Sequence, residues 1–180
     1  MTHDQRQTER AEPQEAIGTC RELAPPSATR WKVFLAGVMQ GSMIDKGLVP
    51  QDYREELKRL LRQHLPEADV YDPLADHKNS LEYDRRTGRE VFFFHNEMCR
   101  TVDLLIAYLP QASMGTAIEM WEAYRHGAMV LSISPMRHNW VVKFLSHRIY
   151  PDLDAFKVAL ESGEIRQLLQ DGVKKGSRGP

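Results

Sequence analysis

Cysteine is nearly absent, with two residues in 180, Cys20 and Cys99. Cys20 falls in a polar stretch and Cys99 in a segment that reads as helix. Neither belongs to a metal-ligand pattern, and the pair fits a reducing, cytoplasmic setting. No apolar run approaches the length of a membrane span, and no apolar core of a signal peptide follows Met1. Net charge is also nearly absent, with 24 basic residues against 25 acidic ones. That balance argues against nucleic acid or a membrane surface as a partner held by bulk charge. Three glycine signatures are missing. Gly37 and Gly41 stand alone where a G-x-G-x-x-G would bind a dinucleotide. No Gly-Lys-Ser/Thr marks a P-loop, and no G-x-S-x-G marks a hydrolase serine. No cofactor or metal is implied, and there is no internal repeat.

The apolar residues that are present come in short runs. Residues 32–37, 68–71, 103–109, 129–133 and 148–150 read as strands, most of them too short and too aliphatic for lone helices. Amphipathic segments alternate with them. One opens at Pro50 with Tyr53, Leu57, Leu60, Leu61 and Leu65 as its stripe. Others cover residues 89–101, 113–127, 139–145, 153–162 and 164–170. Alternation of this kind predicts an α/β fold, a five-stranded, mostly parallel sheet between two helical layers, in the flavodoxin-like order 2-1-3-4-5. Residues 30–171 form the expected single domain. Residues 1–29 are polar and aperiodic and read as a disordered arm, and residues 172–180 read as a flexible tail. The charged stretch 72–88 is expected to be a loop, either a lid or a flexible insertion. Asp72, Asp76 and His77 lie in it without a spacing that fixes a metal geometry. Phe92, Phe93 and Phe94 are expected in the core.

The segment from Ser113 to Gly127 is the centre of the chain. With its flanking runs it makes a βαβ unit whose first loop lies at the carboxyl end of a strand, where open α/β sheets bind ligands. Ala117, Met120, Trp121 and Tyr124 give the predicted apolar stripe of the helix. Ser113 suits its N-terminus and Gly127 its stop. Ser113 and the N–H groups around Gly115 and Thr116 form a candidate anion site. Glu119 lies one turn inside, off that stripe. It reads either as a charge favoured by the helix dipole or as a functional carboxylate beside the anion site. Gly37 and Gly41 read either as an ordinary turn or as places where backbone approaches a ligand.

Three stretches, Phe34-Leu35-Ala36-Gly37, Asp103-Leu104-Leu105-Ile106-Ala107 and Ser113-Met114-Gly115-Thr116-Ala117-Ile118-Glu119, resemble the nucleoside 2-deoxyribosyltransferase superfamily over about residues 31–135. The resemblance implies that Glu119 is the nucleophile that attacks the anomeric carbon of a nucleoside and expels the base, as the carboxylate of a retaining glycosidase does. Ser113 stands where transferases acting on free nucleosides commonly carry an aspartate. A serine there is similar to the 2′-deoxynucleoside 5′-phosphate N-hydrolase branch, because a hydroxyl accepts a phosphate that a carboxylate would repel. The implied substrate-binding set is Gly37, Met39, Gln40, Ser113, Gly115 and Thr116. The chain departs from the family pattern at Phe34 for a tyrosine, Gln40 for an arginine and His95 for an aspartate. His95 is then the expected acid toward the leaving base, with Glu97 two residues on.

The expected activity is hydrolysis of a nucleoside 5′-monophosphate to base and sugar 5-phosphate. Base exchange between nucleosides and non-catalytic nucleotide binding are the alternatives. The expected partners are a small nucleotide or nucleoside and a second copy of the chain. The homodimer is supported by the broadly apolar segment 139–145, with Arg137 and His138 beside it as charges for a neighbouring subunit's site.

Overall fold

Buried parallel strands read as continuous apolar runs because helices cover both faces of the sheet. The computed structural model builds that arrangement. It describes residues 30–41 and 47–176, with backbone alone for 173–176. The expected arm at 1–29 and the last four residues of the tail lie outside the described residues.

The strands are β1 (Trp31–Gly37), β2 (Ala68–Tyr71), β3 (Leu104–Tyr108), β4 (Met129–Ile133) and β5 (Arg148–Tyr150). They form one sheet in the order β2-β1-β3-β4-β5, and every neighbouring pair is parallel. The helices are α1 (Tyr53–His64), α2 (Pro73–Asp76), α3 (Arg85–Cys99), α4 (Met114–Arg125), α5 (Trp140–Leu145), α6 (Leu153–Glu161) and α7 (Glu164–Gly176). Side chains alternate across each strand, so the core divides into two layers. Val33, Leu35, Leu104, Ile106 and Leu131 pack with α1, α6 and α7. Phe34, Ala36, Leu105, Ala107 and Val130 pack with Cys99 of α3, Met120 and Ala123 of α4 and Val142 of α5. This is the three-layer, flavodoxin-like α/β fold. The chain leaves β1 toward β2 and returns past it to β3, so the strand order reverses between β1 and β3. A crevice opens at the carboxyl ends there.

Four expectations are corrected. Phe92, Phe93 and Phe94 are exposed, not core. Successive helix residues point about 100° apart, so three in a row cannot share one face, and His95, Asn96 and Cys99 take the inward one. On α4 the buried face is Thr116, Met120 and Ala123, while Trp121 and Tyr124 lie outside. Thr116 is able to turn inward because its hydroxyl donates to Ser113 Oγ at 3.0 Å. The stretch 72–88 is not one open loop. Asp72 caps α2 by accepting from the Leu74 N–H, a 3-10 turn covers Ser80–Glu82, and Asp84 caps α3 from the Thr87 N–H. Finally, α7 runs on to Gly176, past the expected stop at Gln170.

Candidate active site

The end of β1 sets the floor of the crevice. Leu35, Ala36 and Gly37 line a cavity of about 280 Å³, joined by Met39 and Gln40 just after the strand. Gly37 is needed there. A Cβ at this position would collide with the hydroxyl of Tyr53, whose ring stacks on Tyr108 at 4.0 Å between centroids. The close approach that the glycine allows is thus made by a tyrosine of the protein's own.

Glu119 and His95 enter the same cavity from α4 and α3. Glu119 shares the inner side of α4 with Thr116, Met120 and Ala123, which explains why it lies off the exposed Trp121 and Tyr124. Among the described residues its carboxyl has no hydrogen-bond or ion-pair partner. Burial pushes its pKa up to about 8, against the pull of the Arg54 guanidinium. At neutral pH most of the group therefore holds its proton. His95 moves the other way. Burial, with the neighbouring His77 and Arg54 charges adding to it and Asp76 opposing, lowers its pKa to about 4. The imidazole is neutral at physiological pH, so an acid role as imidazolium is not available to it there. Its Nε2 lies 3.2 Å from the Tyr71 hydroxyl, and its ring stands edge-on to His77 at 5.1 Å.

The rest of the wall comes from the stretch between β2 and α3. His77 is fixed by Nδ1 lying 2.9 Å from the Tyr83 hydroxyl. His77, Tyr83, Leu81, Val91 and Phe92 line the side away from β1. The cavity is thus apolar and aromatic, with a few convergent polar groups, a surface suited to a flat ring.

The remaining expected residues fall elsewhere. Ser113 lines a second cavity of about 430 Å³, with Gly41, Met114, Met136 and Asn139 among its neighbours. Its Oγ accepts from the Thr116 N–H at 3.4 Å as the cap of α4. Thr116 is buried and borders neither cavity, and Gly115 faces open space. Arg137 and His138 are exposed and border neither cavity.

Sequence reasoning missed Arg54. It is buried, lines the Glu119 cavity and pairs with Asp72 at 2.9 Å. The signal was present: Arg54, Leu57 and Leu61 recur at i, i+3 and i+7 and share the inner face of α1. A charge on that stripe needs a buried partner, and Asp72 supplies it.

No family model matches the sequence, and no curated protein does. Among solved structures the fold is similar to that of a 2-deoxyribosyltransferase from the psychrotolerant bacterium Bacillus psychrosaccharolyticus. The TM-score is 0.52 at 17% identity, over 70% of this chain and 90% of that one. A conserved protein from Enterococcus faecalis V583 overlaps more loosely, with a TM-score of 0.43 and 19% identity over 82% of this chain and 99% of its own. So does the CMP N-glycosidase BcmB of Clostridium botulinum, with a TM-score of 0.41 and 18% identity over 73% and 98%. At these identities the likeness is one of fold.

Proposed function

We propose that the chain is an N-glycosidase that cleaves a nucleoside 5′-monophosphate, with Glu119 as the nucleophile. The observation that carries this reading is a carboxyl that has no partner among the described residues and borders a ring-sized cavity at the reversal point of the sheet. Carboxyls withdrawn from water are ordinarily paired, and this half-buried one meets no partner among the described residues. The likeness in fold to a 2-deoxyribosyltransferase supports the same chemistry, as does the resemblance of the segment Ser113 to Glu119.

The ionised Glu119 oxygen attacks C1′ as the C1′–N bond breaks, and the departing base takes a proton from water. A glycosyl ester forms. Water then attacks C1′, loses its proton and restores the carboxylate, leaving free base and sugar 5-phosphate. His95 and His77 meet the base from the aromatic wall as hydrogen-bonding groups. Gly37, Met39 and Gln40 floor the sugar site.

Ser113 and Glu119 are six residues apart on one helix, about 9 Å of rise. Side chains on a helix lean toward its N-terminus, so Glu119 reaches back toward Ser113. That span fits a nucleotide whose anomeric carbon meets Glu119 and whose phosphate reaches the helix start, bridging the two cavities. Gly115 and Thr116 belong to this site through the first turn that they build.

The working unit is a homodimer formed through the outer face of α3, α4 and α5. Phe93, Phe94, Ile118, Trp121, Trp140 and Phe144 are exposed there, more apolar surface than a monomer ordinarily shows.

The test is incubation with a panel of nucleoside 5′-monophosphates and the matching nucleosides, with chromatographic detection of free base. Base released from monophosphates in water supports the reading. Release that depends on a second base makes the protein a transferase. Tight binding with no release makes it a binding module.

A further inference from the structure

A buried guanidinium is costly unless its donors are satisfied. Arg54 is held from several elements. Its Nη1 donates to the Leu35 carbonyl of β1 at 3.0 Å and to Asp72 Oδ1 at 2.9 Å, and its Nε to Gln51 Oε1 at 2.7 Å. Among the described residues its Nη2 meets the thioether of Met39, at 3.7 Å. Gln51 is itself anchored to the Val38 and Val49 carbonyls. Asp72 takes a second cation, Lys58 Nζ, at 3.2 Å. Lys58 also pairs with the exposed Glu55 at 2.5 Å, so Asp72 is shared between two cations, and the guanidinium borders the cavity that Glu119 faces.

Tyr53 and Cys99, which feel the Glu119 charge, are themselves uncharged near neutral pH, and Glu122, one turn further along α4, is paired with Arg100 and Arg125. The Tyr53 phenol of α1 is pushed up to about 12 and the Cys99 thiol of α3 well above its ordinary range, both chiefly by burial. His95 of α3 is neutral. His77 borders the same cavity, its ring edge-on to His95 at 5.1 Å.

We propose that Arg54 is a positioning residue whose guanidinium serves as the counter-charge for the ionised Glu119 carboxylate, and that Asp72 sets how much of that charge Glu119 feels. The inference rests on Glu119 as the proposed nucleophile, but its test needs no turnover. The Glu119 carboxyl is titrated by carbon NMR on protein labelled at glutamate side-chain carboxyls, and Glu119→Gln identifies the resonance. The titrations are run in a His77→Gln background, so the imidazole beyond His95 adds no charge.

Arg54→Gln removes the counter-charge, and the Glu119 midpoint should rise by about one unit. Asp72→Asn unmasks the guanidinium, and the midpoint should fall by a similar amount. Arg54→Lys keeps the charge and should leave the midpoint close to its starting value. Arg54→Gln and Asp72→Asn break the same ion pair, so a purely structural role would move both in one direction. Shifts of one sign, or none, overturn the assignment. If Arg54→Gln does not fold, Asp72→Asn alone decides: a lower midpoint supports the assignment, and an unchanged or higher one overturns it. Base release is followed in parallel. Opposite shifts with no release from the unaltered protein, which keeps His77, would remove the glycosidase reading and leave the counter-charge in place.

Discussion

The Thr116 hydroxyl donates to Ser113 Oγ at 3.0 Å, and both residues belong to the first turn of the helix that carries Glu119. The cap is thus fixed by a residue that is itself buried, while Ser113 keeps one side toward the second cavity. Aspartate caps a helix about as well as serine, so Ser113→Asp preserves the turn and adds only charge. Its expected effect is selective. Base release from monophosphates should fall by at least about tenfold, through repulsion of the phosphate. Release from free nucleosides should fall much less. Equal losses, measured as kcat/KM for the two substrate classes, would remove the phosphate from this end of the site.

Gly37 and Tyr53 make a second paired prediction. Gly37→Ala places a methyl group against the Tyr53 hydroxyl, in a ring already stacked on Tyr108. The ring has to shift, and overpacking of this kind costs about 1–3 kcal/mol. The melting temperature should fall. In the double variant Gly37→Ala/Tyr53→Phe, which removes the colliding oxygen, part of that loss should return. No recovery would place the strain elsewhere.

The strand order and the two-layer core were legible in the chain because short aliphatic runs and amphipathic segments alternate without ambiguity. Gly37, Met39 and Gln40 are legible from their place at the carboxyl end of β1, Glu119 from its place one turn into the helix after β3, and His95 only from the spacing that the family resemblance supplies. Two kinds of feature were not. The inner face of α4 was misread because Thr116 looks polar, and its burial depends on a hydrogen bond that the sequence does not display. Arg54 lies on the inner stripe of α1, but its pairing with Asp72 is not visible in the chain, because the 2.9 Å contact spans α1 and the turn after β2. The phenylalanines at 92–94 show the same limit from the other side. Their composition signals core, while helix geometry forces some of them outward.

Those outward aromatics carry a prediction about assembly. Trp140 is 77% exposed and Phe144 57%, on one short helix, with their rings 5.9 Å apart. Trp140→Glu/Phe144→Glu places two charges on this face without touching Val142, the residue of α5 that is buried. Sedimentation of the unaltered protein at micromolar concentration should show a dimer, and the double variant a folded monomer. A variant that stays dimeric would move the contact away from α5.

The carboxyl of Glu119 yields the sharpest forecast, because two measurements read the same proton. As nucleophile it must be ionised, and burial holds its pKa at about 8. The kcat/KM for base release should therefore rise with pH and level off above about 8. Glu119→Gln keeps the shape and removes the titration, and turnover should fall by about three powers of ten or more while nucleotide binding persists. Stability gives the independent reading. The folded state keeps a proton on Glu119 that the unfolded chain releases near 4.5. The native protein therefore binds more protons than the unfolded one between about 4.5 and 8, and stability contributed by this group is lost as pH rises across that window. His95 acts in the opposite sense, with a folded pKa of about 4 below its ordinary 6.5. It is present in both proteins and cancels from their difference. Glu119→Gln should thus gain in melting temperature over the unaltered protein as pH is raised from 5 to 8, with no further gain above. A constant difference across that range would mean that Glu119 titrates as an ordinary surface carboxylate, and the nucleophile would have to be sought at another residue.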